Sequence, residues 1–143
     1  MPDLLELQID KFTFRVAADR FYSPEGVWVK PEGRNIRIGV SDFLQQRSGD
    51  IAFVEIKPPG TLLAFGDEVA VIETIKVNLS LGSPVSGRIV EINPEMETAP
   101  EAINQDPYGK GWIAVLEAHD WEAGQALLLD AQAYFAKMKA ESE

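Results

Sequence analysis

Lys76 is the residue of this 143-residue chain best placed to do chemistry. It stands in Glu73-Thr74-Ile75-Lys76-Val77, where Thr74-Ile75-Lys76 is a connection short enough to form a hairpin tip between two apolar strands. A displayed lysine is either a modifiable amine or an ordinary surface charge, and spacing alone favours the second. The remaining reactive side chains offer little competition. The one histidine, His119, lies in the polar turn Glu117-Ala118-His119-Asp120, so neither a hydrolytic triad nor a metal set forms around it. Glu55 with Glu73, and Asp67 with Glu68, read as solvated strand and turn charges rather than a catalytic pair. No GxxxxGK[ST] or GxGxxG pattern supports nucleotide binding. Cysteine is absent, which removes disulfides, thiolate nucleophiles and thiolate metal sites. The expectation is no catalytic residue and no metal, with any redox chemistry supplied by an attached cofactor.

The elements that must position Lys76 are mostly strands. Alternation marks a strand from about Lys11 to Val16, and Val27–Lys30 and Asn35–Val40 form a hairpin about the turn Pro31-Glu32-Gly33. Ser41 is placed to cap a short helix over Asp42–Gln46, with Gly49 as its exit. Asp50–Ile56 is a strand closed by Pro58-Pro59-Gly60, and Thr61–Glu68 holds a strand and a turn. Val69–Glu73 and Val77–Leu81 flank the lysine tip, and Pro84-Val85-Ser86-Gly87 turns the chain into Arg88–Ile92. Pro100–Ile103 reads as a short helix and Trp112–Leu116 as the last strand. Helical spacing from Trp121 to about Met138 predicts two C-terminal helices, Asp130 capping the second. The series suits a small sandwich or barrel rather than an alternating βα fold. The expected organisation is one domain over 1–143, with 1–20 an N-terminal extension and about 121–139 helical.

Composition sets outer limits. The net charge of −10 repels nucleic acid and anionic membranes, so neither is an expected partner. No apolar run approaches the roughly 18 residues of a membrane span, and residues 1–6 do not resemble a signal peptide, so a cytoplasmic protein is expected.

Several segments together resemble the H-protein of the glycine cleavage system: Ile38-Gly39-Val40-Ser41-Asp42-Phe43, Gly49–Glu55, Glu73-Thr74-Ile75-Lys76, Ser83-Pro84-Val85-Ser86-Gly87 and Asn104-Gln105-Asp106-Pro107-Tyr108-Gly109-Lys110-Gly111-Trp112. The likeness runs from about Phe21 to Phe135. It implies a mainly β barrel-sandwich hybrid of two small sheets with short flanking helices. It also implies covalent lipoate on Lys76, surrounded by Glu73, Thr74, Ile75 and Val77, and a carrier rather than an enzyme. Biotin is the rival cofactor for such a fold. Its sites are usually framed by methionines, whereas Ile75 and Val77 flank Lys76. A lipoyl arm would supply the thiols that the chain lacks, its strained five-membered ring easing reduction.

Two departures bear on the pathway. The resemblance would place His-Glu directly before Trp28, where this chain has Gly26 and Val27. It would place Ser-Asp third and fourth after the lysine, where Leu79 and Ser80 stand. Losing acidic groups argues against an aminomethyl cargo and toward an H-like lipoate-binding protein of a sulfur-oxidising, heterodisulfide-reductase-like pathway. The alternative is a genuine glycine cleavage H-protein shuttling between glycine decarboxylase and aminomethyltransferase. Either version implies a lipoate ligase or lipoyl transferase and dihydrolipoamide dehydrogenase as further partners. A reading from another class is an unmodified β interaction module.

Overall fold

The computed structural model describes residues 3–142, arranged as three antiparallel sheets with four α-helices. Strands β1 (Leu4–Ile9) and β2 (Phe12–Ala17) form a separate hairpin. β3 (Phe21–Tyr22), β4 (Val27–Glu32), β5 (Asn35–Val40), β7 (Leu62–Leu63), β10 (Gly87–Ile92) and β11 (Ala114–Ala118) make a six-stranded sheet in the order β3-β4-β5-β11-β10-β7. β6 (Ile51–Ile56), β8 (Glu68–Thr74) and β9 (Asn78–Gly82) make the third sheet, with β8 in the middle. The helices are α1 (Asp42–Ser48), α2 (Ala102–Gln105), α3 (Trp121–Ala126) and α4 (Ala131–Ser142), and Pro94–Glu97 forms a 3-10 turn.

The period-two pattern of β4 shows how the layers are built. Val27 and Val29 face a core shared with Ile38, Ile72, Leu81, Ile89 and Leu116, which binds the six-stranded sheet to the three-stranded one. Trp28, between them, faces the other way, into a second apolar cluster with Phe14, Val16, Tyr22, Phe43, Tyr134 and Met138. That second layer is where the β1–β2 hairpin, α1 and α4 cover the sheet. Trp28 pairs with Gly39, and a Cβ on Gly39 would stand 2.5 Å from the indole. Glycine is required there because the ring lies flat across the neighbouring strand.

Most expected elements form near their expected bounds. Ser41 caps α1 through its hydroxyl, which accepts from the Leu44 amide at 3.2 Å, and Gly49 closes it at φ 89°. Asp130 Oδ1 accepts from the Ala133 amide at 2.7 Å and opens α4. Four corrections apply. Leu4–Ile9 is itself a strand, so the N-terminal segment is a hairpin forming a third sheet beyond the two expected. β4 runs through Pro31 to Glu32, because Pro31 sits opposite Ile36 in the ladder instead of turning. β7 shrinks to two residues. β11 starts at Ala114, because Trp112 stacks under Arg37 at 4.3 Å and its carbonyl accepts from Asn93 Nδ2 at 2.8 Å.

Candidate functional site

The tip that carries Lys76 is a tied turn rather than a loose loop. β8 and β9 pair as far as Glu73 with Asn78, and Thr74 closes the connection. Its amide donates to the Val77 carbonyl at 2.9 Å, and its hydroxyl donates to the same oxygen at 3.0 Å. The hydroxyl oxygen also accepts from the amides of Lys76 and Val77, at 3.2 and 3.0 Å. One threonine side chain therefore satisfies backbone groups that a short turn would leave to water. Ile75 and Val77, 80% and 51% exposed, flank the lysine with apolar surface.

Lys76 is exposed, and its Nζ makes no hydrogen bond or ion pair among the described residues. Its stem passes over the end of α1, where a Cβ placed on Gly49 would lie 3.9 Å from Cδ and Cε. Glu73 is exposed and points away from the buried Ile72, as strand alternation demands. The platform beneath the tip is pinned by Asn104. Its side chain accepts from the Ile51 amide at 2.9 Å and donates to the Gly49 carbonyl at 3.0 Å and to Gln45 Oε1 at 2.9 Å. Ile51 in turn sits opposite Thr74. Asn104 opens the Asn-Gln-Asp-Pro-Tyr segment, which is the one signal in the sequence that could have marked it as a positioning residue.

The rest of that segment is held from the second apolar cluster. Trp28 Nε1 donates to the Pro107 carbonyl at 2.8 Å. The Arg20 guanidinium, almost wholly buried, lies 4.6 Å from the Trp28 ring and 5.3 Å from the Tyr108 ring, and donates to the Tyr108 carbonyl at 3.1 Å. Asp19 accepts from Arg20 Nε at 2.8 Å. Partial burial opposes ionisation of this carboxyl, but Arg20 outweighs it and holds the acid below its usual range. Tyr22 stacks on Tyr134 at 4.5 Å, and burial raises the hydroxyl pKa of Tyr22, Tyr108 and Tyr134, the last to about 12. Arg20, Tyr22 and Tyr134 carry no signal in the sequence as partners of Trp28, since they are scattered along the chain.

The positions that depart from the resemblance have local explanations. Gly26 adopts φ 101°, and a side chain there would meet Tyr134 Oη, Ser41 Oγ and Leu44 Cβ at 3.0–3.2 Å. Val27 is 2% exposed and belongs to the main core. Ser80 Oγ donates to Glu68 Oε2 at 2.7 Å, so a carboxylate does stand beside that position, supplied from across the ladder. Packing therefore gives Gly26 and Val27 a local structural role.

His119 is exposed, and the described residues contain no group of acids and histidine able to hold a metal. Glu55 sits opposite Val71 and Glu73 opposite Phe53, so the two exposed acids are diagonal rather than directly paired across the ladder. Asp67 Oδ2 accepts from the Ala64 amide at 2.9 Å as a turn residue. Among the described residues no helix is long and apolar enough to cross a membrane.

Comparison with known proteins bears on the family of the chain that carries this exposed lysine. The family model described as "Glycine cleavage H-protein" matches residues 20–141. The chain belongs to the glycine cleavage H-protein family. A glycine cleavage system H protein of Thermus thermophilus is 39% identical over 127 residues, covering 89% of this chain and 98% of the relative. That of Symbiobacterium thermophilum is 43% identical over 124 residues, covering 87% and 96%. The crystal structure of a glycine cleavage system H protein from Mycobacterium marinum superposes with a TM-score of 0.75 at 27% identity, covering 85% of this chain and 98% of that one. Proteins of this family are not enzymes, and carry a covalently attached lipoate on a lysine. These relatives bear the glycine cleavage name, so the sulfur-oxidising expectation drawn from Gly26, Val27 and Ser80 finds no support.

Proposed function

We propose that this H-protein family member is a glycine cleavage carrier, holding its lipoyl group on Lys76 and taking an aminomethyl cargo from glycine decarboxylase to aminomethyltransferase. Dihydrolipoamide dehydrogenase would reoxidise the arm, and a lipoate ligase or lipoyl transferase would attach it. The observation that carries the reading is the Lys76 amine, which faces solvent from a tied turn in a chain whose relatives bear the glycine cleavage name.

The residues present fit the group. Lys76 Nζ is accessible for an amide, and Gly49 leaves room along the stem. Once linked, the lipoyl group supplies a disulfide that can be reduced and reoxidised. Everything else falls to the chain. Thr74 fixes where the arm begins, so that a mobile reagent starts from a rigid point and raises its effective concentration at a docked partner. Ile75 and Val77 offer apolar area beside the amine for a ligase or partner enzyme.

The test is reconstitution. Lipoylated protein is mixed with glycine decarboxylase, aminomethyltransferase and dihydrolipoamide dehydrogenase, and glycine-dependent release of carbon dioxide is followed. Turnover comparable to that with the Thermus thermophilus relative is expected. No turnover from fully lipoylated protein, in a mixture where the relative works, would overturn the glycine assignment.

A further inference from the structure

The β1–β2 hairpin lies outside the matched residues 20–141, and its two outer edges are treated differently. The Ala18 amide donates to the Asp3 carbonyl at 2.8 Å, which sets the phase of the ladder. Leu5, Leu7 and Ile9 exchange bonds with β2, and the backbone groups of Leu4, Glu6 and Gln8 point outward. By the same phase the outward groups of β2 belong to Thr13, Arg15 and Ala17. Side chains close that edge: Gln46 donates to the Thr13 carbonyl at 2.9 Å, and the Arg15 amide donates to Asp42 at 2.8 Å. The Tyr108 and Tyr22 hydroxyls donate to the carbonyls of Arg15 and Ala17, at 2.6 and 2.7 Å. Among the described residues nothing closes the outward groups of β1. The strand also lacks the usual protections of an edge, since it has no proline, no lysine and no bulge.

We propose that β1 is a homodimerisation edge, pairing antiparallel with β1 of a second copy about a two-fold axis at Leu7. The outward backbone groups then meet in one register, with Glu6 opposite the partner's Gln8 and Leu7 opposite the partner's Leu7. Moving the axis to Glu6 would oppose two like charges, which disfavours that register. In the favoured register the half-buried Leu5, Leu7 and Ile9 abut the same side chains of the partner and extend the apolar underside that packs on the second cluster. The acidity of the whole chain is not concentrated here: Glu6, the one charged residue of β1, is already paired with Arg15 at 3.0 Å. An edge of this length makes a weak, reversible dimer rather than an obligate one.

Sedimentation equilibrium of the unlipoylated full chain, up to about 1 mM, tests this independently of any carrier role. A monomer–dimer equilibrium is expected. Gln8→Glu, which places two like-charge pairs across the axis, should raise the dimer dissociation constant about fivefold, and Gln8→Lys should lower it by a similar factor. Gln8 is exposed, so circular dichroism should show both variants folded. Amide exchange at Glu6 and Gln8 should slow with concentration, while Leu5 and Leu7 stay protected throughout. A protein monomeric across the range, a dimer indifferent to both charges, or exchange at Glu6 and Gln8 independent of concentration would overturn the proposal.

Discussion

Around Trp28 polar groups find their partners inside the protein, whereas at Lys76 the amine is left to solvent. The indole N–H, the Arg20 guanidinium and the Tyr22 and Tyr134 hydroxyls end on named oxygens, and no buried side-chain nitrogen or oxygen among the described residues lacks a partner. The tip spends its hydrogen bonds on backbone alone, through Thr74, and leaves the lysine side chain uncommitted. A carrier needs this division, because a fixed body and a firm attachment point let the mobile part be the arm rather than the chain. Stability should therefore reside in the hub and function in the tip.

The sharpest way to break that division is to damage the hub. Trp28→Ala should cost about 3–5 kcal/mol in denaturant unfolding, since it removes a fully buried indole and leaves a cavity. Gly39→Ala, which forces a methyl into the same ring, should cost about 1–3 kcal/mol. The buried tyrosines tie the hub to alkali. Their pKa values are raised above the ordinary 10, mainly by burial, so their contribution is full below pH 10 and is lost as pH climbs from there toward the folded-state values. Stability should fall in that window, with tyrosine ionisation seen by ultraviolet difference absorbance coinciding with unfolding. At the tip, Thr74→Val should cost only about 1 kcal/mol, by removing the side-chain bonds of the turn, while slowing lipoylation.

The tip was legible in the sequence and the hub was not, for a physical reason. Glu73-Thr74-Ile75-Lys76 spans the end of β8 and the turn into β9, its partner, so a local pattern contains the whole hairpin, one residue earlier than the turn Ile75–Val77 that forms. The caps at Ser41 and Asp130 are equally local. Arg20, Trp28, Tyr108 and Tyr134 meet only after β4, α4 and the loop following α2 have packed, and periodicity within one element cannot announce such a meeting. β3 is visible only through its partners, since two residues paired to Trp28, Val29 and Leu129 carry no pattern of their own. The same limit applies to the departures before Trp28. Gly26 and Val27 read in the sequence as an absence of polar groups, and only the packed structure shows that one is a positive-φ turn under Tyr134 and the other is core.

The most direct test of the central claim is peptide mass spectrometry of the wild-type chain and of Lys76→Arg after incubation with lipoate and a ligase. A single lipoyl increment on the peptide containing Lys76, absent from a Lys76→Arg protein whose unfolding midpoint is unchanged, is the predicted result. A lipoyl group on another lysine would contradict the site. No modification under conditions that lipoylate the Thermus thermophilus relative would contradict the carrier reading and favour an unmodified β interaction module.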